Sequence, residues 1–323
     1  MKVCLILPYF GKLPNYFDFY LKSASLNPEI TWFLITDDRS DFNYPPNFRV
    51  VYQSYEELKN QIITKFGVGV RLDRPHKLCD FKPAFGDIFS EYLQEFDYWG
   101  HCDPDIIWGR FSNFLNWEVL KQYDKIFIFG HLSLYRNTKE NNIRYRHLID
   151  GVERYMKVFQ TPITILFDEK YDNSINTIFE NNHYPLFKEN YAADINAYYC
   201  EYRLSEYDER TNSFSVSKEK VVFTWEEGHI YGYHLHGKNL VKKEYLYIHL
   251  IKRPMENVPD TKGKIVFFNH SFEELNEEIT INNFQKYYHI PFFNRQFYRI
   301  KWKSLMYRIK YRNDLKAWKH ENV

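Results

Sequence analysis

Residues Tyr98–Gly109 read "YWGHCDPDIIWG", with two aspartates, Asp103 and Asp105, one residue apart between strongly apolar flanks. Carboxylates are seldom buried without a partner. The pair therefore either ends a strand in solvent, one member capping the following turn, or holds a cation. Alternate residues of an extended segment project to the same side, so both carboxylates can face one hard ion, with Pro104 stiffening the turn between them. Upstream, "HKLCDFKPAFGDIF" (76–89) reads as a loop followed by a helix begun near Pro83. Downstream, "DKIFIFGHLSLYRN" (124–137) reads as one further strong strand.

Working outward, "VCLILPYF" (3–10) is a short apolar run stopped by Pro and Gly, the pattern of a buried strand. "NYFDFYLKSASLN" (15–27) has helical spacing with Asn15 placed as its cap. "TWFLITDD" (31–38) is a second buried strand ending in Asp37 and Asp38, and "NFRVVYQ" (47–53) a third. "SYEELKNQIITKF" (54–66) opens with Ser54 and Glu57 in capping-box spacing. Strands alternating with helices predict an α/β fold, a Rossmann-like, mostly parallel sheet flanked by helices. Ligands of such sheets bind outside the carboxyl ends of the strands, where Asp37, Asp38, Asp103 and Asp105 all fall. Residues 137–215 are polar and Asn-rich, and 220–253 return to strand-like runs. With no repeat or linker before about residue 290, the expected organisation is one domain over 1–290 and a basic, aromatic helical appendage over 291–323.

Aromatic residues make up 20% of the 323, against 12 Gly and 13 Pro, which excludes a disordered chain. Rings serve packing first and can also stack on sugars. Net charge is +1, but residues 295–319 hold nine Lys or Arg and one acid, Asp314, leaving 34 basic against 41 acidic residues elsewhere. An acidic body without a recognisable binding motif argues against nucleic acid. The cationic segment, with Phe297, Ile300, Trp302, Leu305, Tyr307 and Ile309 interleaved, fits a basic amphipathic helix on an anionic membrane surface, or a helix packed on the body. Four scattered cysteines without a CxxC pair, no signal-like N-terminus and no apolar run of ~18–20 residues give a reducing cytoplasm as the expected address, peripheral on the inner face of the cytoplasmic membrane.

Four strings together carry a resemblance: "KLCDFKPAFGDIF" (77–89), "FDYWGHCDPDIIWG" (96–109), "FGHLSLYRN" (129–137) and "YLYIHLIKR" (245–253). They resemble bacterial capsule and O-antigen glycosyltransferases of the type A fold, over roughly residues 1–255. The resemblance implies that Asp103 and Asp105 bind a metal, Mn²⁺ or Mg²⁺, and the diphosphate of a nucleotide sugar, with UDP-sugars most expected. It further implies that His249 completes the metal shell and Lys252 contacts the diphosphate, a pair shared mainly with retaining families. Asp37 and Asp38 either accept hydrogen bonds from the donor's uracil or ribose or simply end a strand. Lys77, Asp80 and Lys82 either hold the donor or shape its pocket. His131 and Asp194 are candidate catalytic or acceptor-facing residues.

The expected activity is thus metal-dependent transfer of a hexose, galactose or galactofuranose by analogy of pathway, to a growing surface polysaccharide or lipid-linked acceptor. Two rival readings are a sugar-1-phosphate transferase and a non-catalytic glycan-binding protein.

Overall fold

The computed structural model describes residues 1–169, 173–208, 210–211, 213–251, 253–256 and 263–320. In β1 (Val3–Tyr9), Val3, Leu5 and Leu7 join one hydrophobic core while Cys4 and Ile6 join another. In β2 (Ile30–Thr36), Trp32 and Leu34 face the first core, Phe33 and Ile35 the second. Continuous apolar runs of this kind mark strands covered on both faces. β3 (Phe48–Tyr52) lies outside β2, and β4 (Tyr98–Cys102) lies on the other side of β1, all four strands parallel. β5 (Ile106–Trp108) leaves this sheet, which continues through β7 (Leu132–Arg136), β6 (Lys125–Phe129) and β8 (Leu186–Phe187) in the order β3-β2-β1-β4-β7-β6-β8. β7 is antiparallel to both β4 and β6. The chain is therefore α/β, with a largely parallel half carrying β4's carboxyl end to Asp103.

Three local expectations change. "DKIFIFGHLSLYRN" is two strands rather than one, because the chain reverses at Gly130 and His131 after a bulge between Ile126 and Phe129. The helix expected near Pro83 begins earlier, as a 3₁₀ stretch over Pro75–Ala84 that runs into Phe85–Ile88, with Pro75 at its first turn, where a missing N–H costs nothing. Asn15 does not cap α1 (Phe17–Ser25); its amide donates to the Met255 carbonyl instead. The capping box of Ser54 and Glu57 does form and starts α2 (Tyr55–Phe66).

After β9 (Ala192–Asp194) and a hairpin of β10 (Ser205–Asp208) and β11 (Ser213–Val216), an antiparallel sheet follows. It comprises β12 (Lys220–Glu226), β13 (His229–His236), β14 (Asn239–Tyr245), β16 (Ile265–Phe267) and β17 (Phe272–Glu274). Helix α1 lies between the two large sheets. Phe17, Tyr20 and Leu21 pack on the parallel strands, while Phe19 meets Trp225 and Phe272, each at 5.2 Å between ring centres. Trp32, Trp99, Trp108 and Trp225 are all fully buried, so packing accounts for much of the aromatic content. Between the sheets, β15 (Tyr247–His249) pairs antiparallel with β5 and parallel with β9.

Gly86 shows how tightly the layer under β4 is filled: a Cβ there would come within 2.3 Å of the Trp99 indole. Trp99 cannot retreat without losing its hydrogen bond to Asn142 Oδ1 at 2.7 Å. Helix propensity alone favours Ala over Gly by roughly 1 kcal/mol, whereas overpacking costs about 1–3 kcal/mol and the lost hydrogen bond about 1 more. Gly86→Ala is expected to lower stability in urea unfolding by about 2 kcal/mol; a gain would mean that propensity outweighs the contact.

Candidate functional site

Strand register builds the site. His249 is the β15 residue opposite Ile106 of β5 and opposite Asp194 of β9, and Leu250 N donates to the Asp105 carbonyl at 2.9 Å. The imidazole is thereby fixed between two acidic neighbours. Its Nδ1 donates to Asp194 Oδ1 at 2.8 Å, and its Nε2 lies 3.5 Å from Asp105 Oδ1 and 3.8 Å from Asp103 Oδ2. Asp103, Asp105 and His249 each offer a ligand atom, all within 4.8 Å of one another. Burial alone depresses an imidazole, but Asp105 and Asp194 outweigh it and hold His249 well above its ordinary value.

The group opens onto a cavity of about 420 Å³ at the carboxyl end of β1 and β4. Lys82 forms part of its wall; the ammonium donates to Asp103 Oδ1 at 2.8 Å and to the Gly130 carbonyl at 2.8 Å, and pairs with Asp168 Oδ2 at 3.2 Å. Burial opposes its charge, yet Asp103 and Asp168 hold it well above the usual lysine range. Asp168 and Glu169 line the same cavity. Burial, opposed by Lys82, pushes Asp168 up to about 6. Burial reinforced by Asp168 pushes Glu169 up to about 8. Gly130 makes this crowding feasible, since a Cβ there would come within 2.6 Å of both carboxylates. Leu166 and Ile251, also in the wall, adopt left-handed backbone angles (φ 62° and 48°). For a β-branched residue such as Ile251 this is strained, and such strain concentrates at functional sites.

Of the residues singled out from sequence, Asp103, Asp105, His249 and Lys82 converge on the cavity. Others do not. Asp38 is buried, but four hydrogen bonds, from Lys12 Nζ, Leu13 N and the Ser40 amide and hydroxyl, overcome its burial and hold it well below the usual carboxylate range. Asp37 accepts from Gly11 N at 2.7 Å. The two aspartates thus pin the loop after β1, and neither lines the cavity. Lys77 and Asp80 form a fully buried pair at 2.6 Å; Lys77 also donates to the Val158 and Ile163 carbonyls, and Asp80 accepts from Ile165 N and Phe167 N. They brace the segment that carries Asp168 and Glu169, shaping the wall without reaching the cavity. His131 is buried behind His249, 4.5 Å between ring centres, and shares a 2.8 Å hydrogen bond with the Tyr247 hydroxyl. Burial pushes it down to about 4, which favours the neutral ring, and it does not line the cavity. Asp194 positions His249 and is not part of the cavity wall. Lys252 lies outside the described residues.

The acidic pair Asp168–Glu169 and the role of Gly130 escaped the sequence reading. Their only signal was "FDEKYD" in a polar stretch without periodicity. Chemically, the cavity sets four carboxylates against one lysine and two imidazoles, His76 and His249, a balance that suits a dication and a hydroxyl-rich ligand.

This α/β chain belongs to a family of unknown function (DUF6625), whose profile matches residues 5–283 and so includes every residue of the cluster. No curated protein matches it.

Without a metal, the raised carboxyls make folding favour their protonated forms. That contribution is complete below the unfolded carboxyl range and is lost as pH rises through about 6 for Asp168 and about 8 for Glu169. In chelator, the urea midpoint is expected to fall across this window. Glu169→Gln is expected to flatten its upper part; an unchanged slope in that variant would place the titration elsewhere.

Proposed function

We propose that the protein is a metal-dependent glycosyltransferase of type A fold, moving a hexose from a nucleoside diphosphate sugar to a glycan or lipid-linked acceptor. The observation that carries this reading is the Asp103–Asp105–His249 cluster at the carboxyl edge of parallel strands, opening onto a cavity large enough for a nucleotide sugar.

The residues fit Mn²⁺ or Mg²⁺. Two carboxylates and an imidazole suit such ions, and the Asp194 contact fixes the tautomer that leaves His249 Nε2 toward Asp103 and Asp105. When bound, the ion supplies positive charge to the departing diphosphate. The chain's own contribution is positional. Lys82 orients Asp103 from behind; Asp168 and Glu169 offer carboxyl groups to sugar hydroxyls; Tyr9 and Phe10, in the cavity wall, offer flat apolar surface to a base or sugar ring.

In the test, the full chain is screened by thermal unfolding against nucleotide sugars with Mn²⁺, and product nucleotide is followed. The expected outcome is metal-dependent stabilisation by UDP or a UDP-sugar and slow release of nucleoside diphosphate. Asp105→Asn and His249→Ala should abolish the stabilisation while keeping the near-UV spectrum. Nucleoside monophosphate release would instead indicate sugar-1-phosphate transfer. Glycan binding that survives Asp103→Ala, with no nucleotide affinity, would indicate a binding protein.

A further inference from the structure

Beyond its first residue, the helix Arg295–Lys310 divides its surface into two sides. At about 100° per residue, Gln296, Ile300, Ser304, Tyr307 and, just beyond, Tyr311 fall on one side, and these are the positions least exposed to solvent. Tyr307 and Tyr311 stack on the Arg74 guanidinium at 4.8 and 5.0 Å, Thr164 N donates to the Tyr307 hydroxyl at 3.0 Å, and Arg74 donates to Thr164 Oγ1 at 2.9 Å. Further on, Trp318 lies under Arg154 at 4.6 Å. The appendage is therefore docked on the body beside Pro75 and His76 of the cavity wall.

The opposite side is apolar and open. Tyr298, Trp302, Leu305, Met306 and Ile309 form a stripe, with Trp302 64% and Ile309 60% exposed. Lys301 and Arg308 fall along one flank of that stripe, and Arg299, Lys303 and Lys310 along the other. The preceding loop adds exposed Phe292 and Phe293. An apolar stripe carrying Trp and Tyr between two rows of cations matches the boundary between headgroups and acyl chains. A protein partner is disfavoured because Lys is depleted from protein interfaces. A phosphate backbone would leave the aliphatic centre of the stripe in water.

We infer that this face seats the protein on an anionic lipid surface, with the apolar stripe immersed and the flanking cations against lipid phosphates. Both possibilities left open by the sequence then hold at once, since one side packs on the body and the other meets the membrane. The stripe differs from the six apolar residues expected from the sequence: Ile300 and Tyr307 turn inward, Phe297 lies beside Tyr198, and Tyr298 and Met306 complete the stripe.

Vesicle flotation of the full chain tests this without any nucleotide or metal, so its outcome is independent of the transfer reading. Vesicles of phosphatidylcholine with about 30% phosphatidylglycerol should bind the chain, and phosphatidylcholine alone should bind it at least about tenfold more weakly. The double variant W302E/I309E should lose at least about tenfold in partitioning. K301E/K303E should lose at least as much at low salt and less at high salt, where screening already weakens the cations. All four positions are exposed, and an unchanged unfolding midpoint will show that the variants are folded. Absence of binding to the anionic vesicles would overturn the inference, as would full binding by W302E/I309E. So would a solution dimer that W302E/I309E dissociates and that binds no vesicles.

Discussion

Everything proposed for the cavity depends on one strand register. β15 lies between β5 and β9, and that pairing sets His249 beside both Asp105 and Asp194. A slip by one residue would turn the imidazole to the other face of the small sheet, leaving the acidic pair without its third member. The register is secured from both sides by apolar neighbours: Ile107, Ala193 and Ile248 are fully buried in the core beneath the antiparallel sheet. Ordinary packing thus delivers a precise polar arrangement.

A second layer of control is electrostatic. The cavity gathers more acid than base, and the chain compensates only partly, with Lys82 shared between Asp103 and Asp168. The wall segment bearing Asp168 and Glu169 is in turn held by the buried Lys77–Asp80 pair, whose removal would leave an uncompensated buried charge. Residues two shells away from the cavity therefore determine its shape, and the aspartates after β2 do the same for the loop that follows β1.

The sequence revealed the parallel half of the fold well, because β1 and β2 are short apolar runs between turn residues and the Ser54 capping box marks α2 directly. It also singled out Asp103, Asp105, His249 and Lys82. Other features depend on contacts remote in the chain. The hairpin at Gly130 was masked because a single Gly is the one turn residue between the apolar run before it and the strand pattern after it. The buried state of Lys77 rests on carbonyls about eighty residues away. Asp168 and Glu169 gain meaning only when Gly130 is brought against them. Asp37 and Asp38 do end a strand, as the sequence suggests, but there Asp38 is occupied by four nearby donors and Asp37 by Gly11 N, in the loop after β1 and outside the cavity wall.

Helix α1 bears on how such a chain can be divided. With Tyr20 sealed against the parallel strands and Phe19 against the antiparallel ones, neither sheet has a complete interior without it. A fragment ending before β12 would leave Tyr16 and Phe19 bare and prone to self-association. The two sheets should thus melt together as one cooperative unit, and the antiparallel one cannot be exchanged as a detachable cassette.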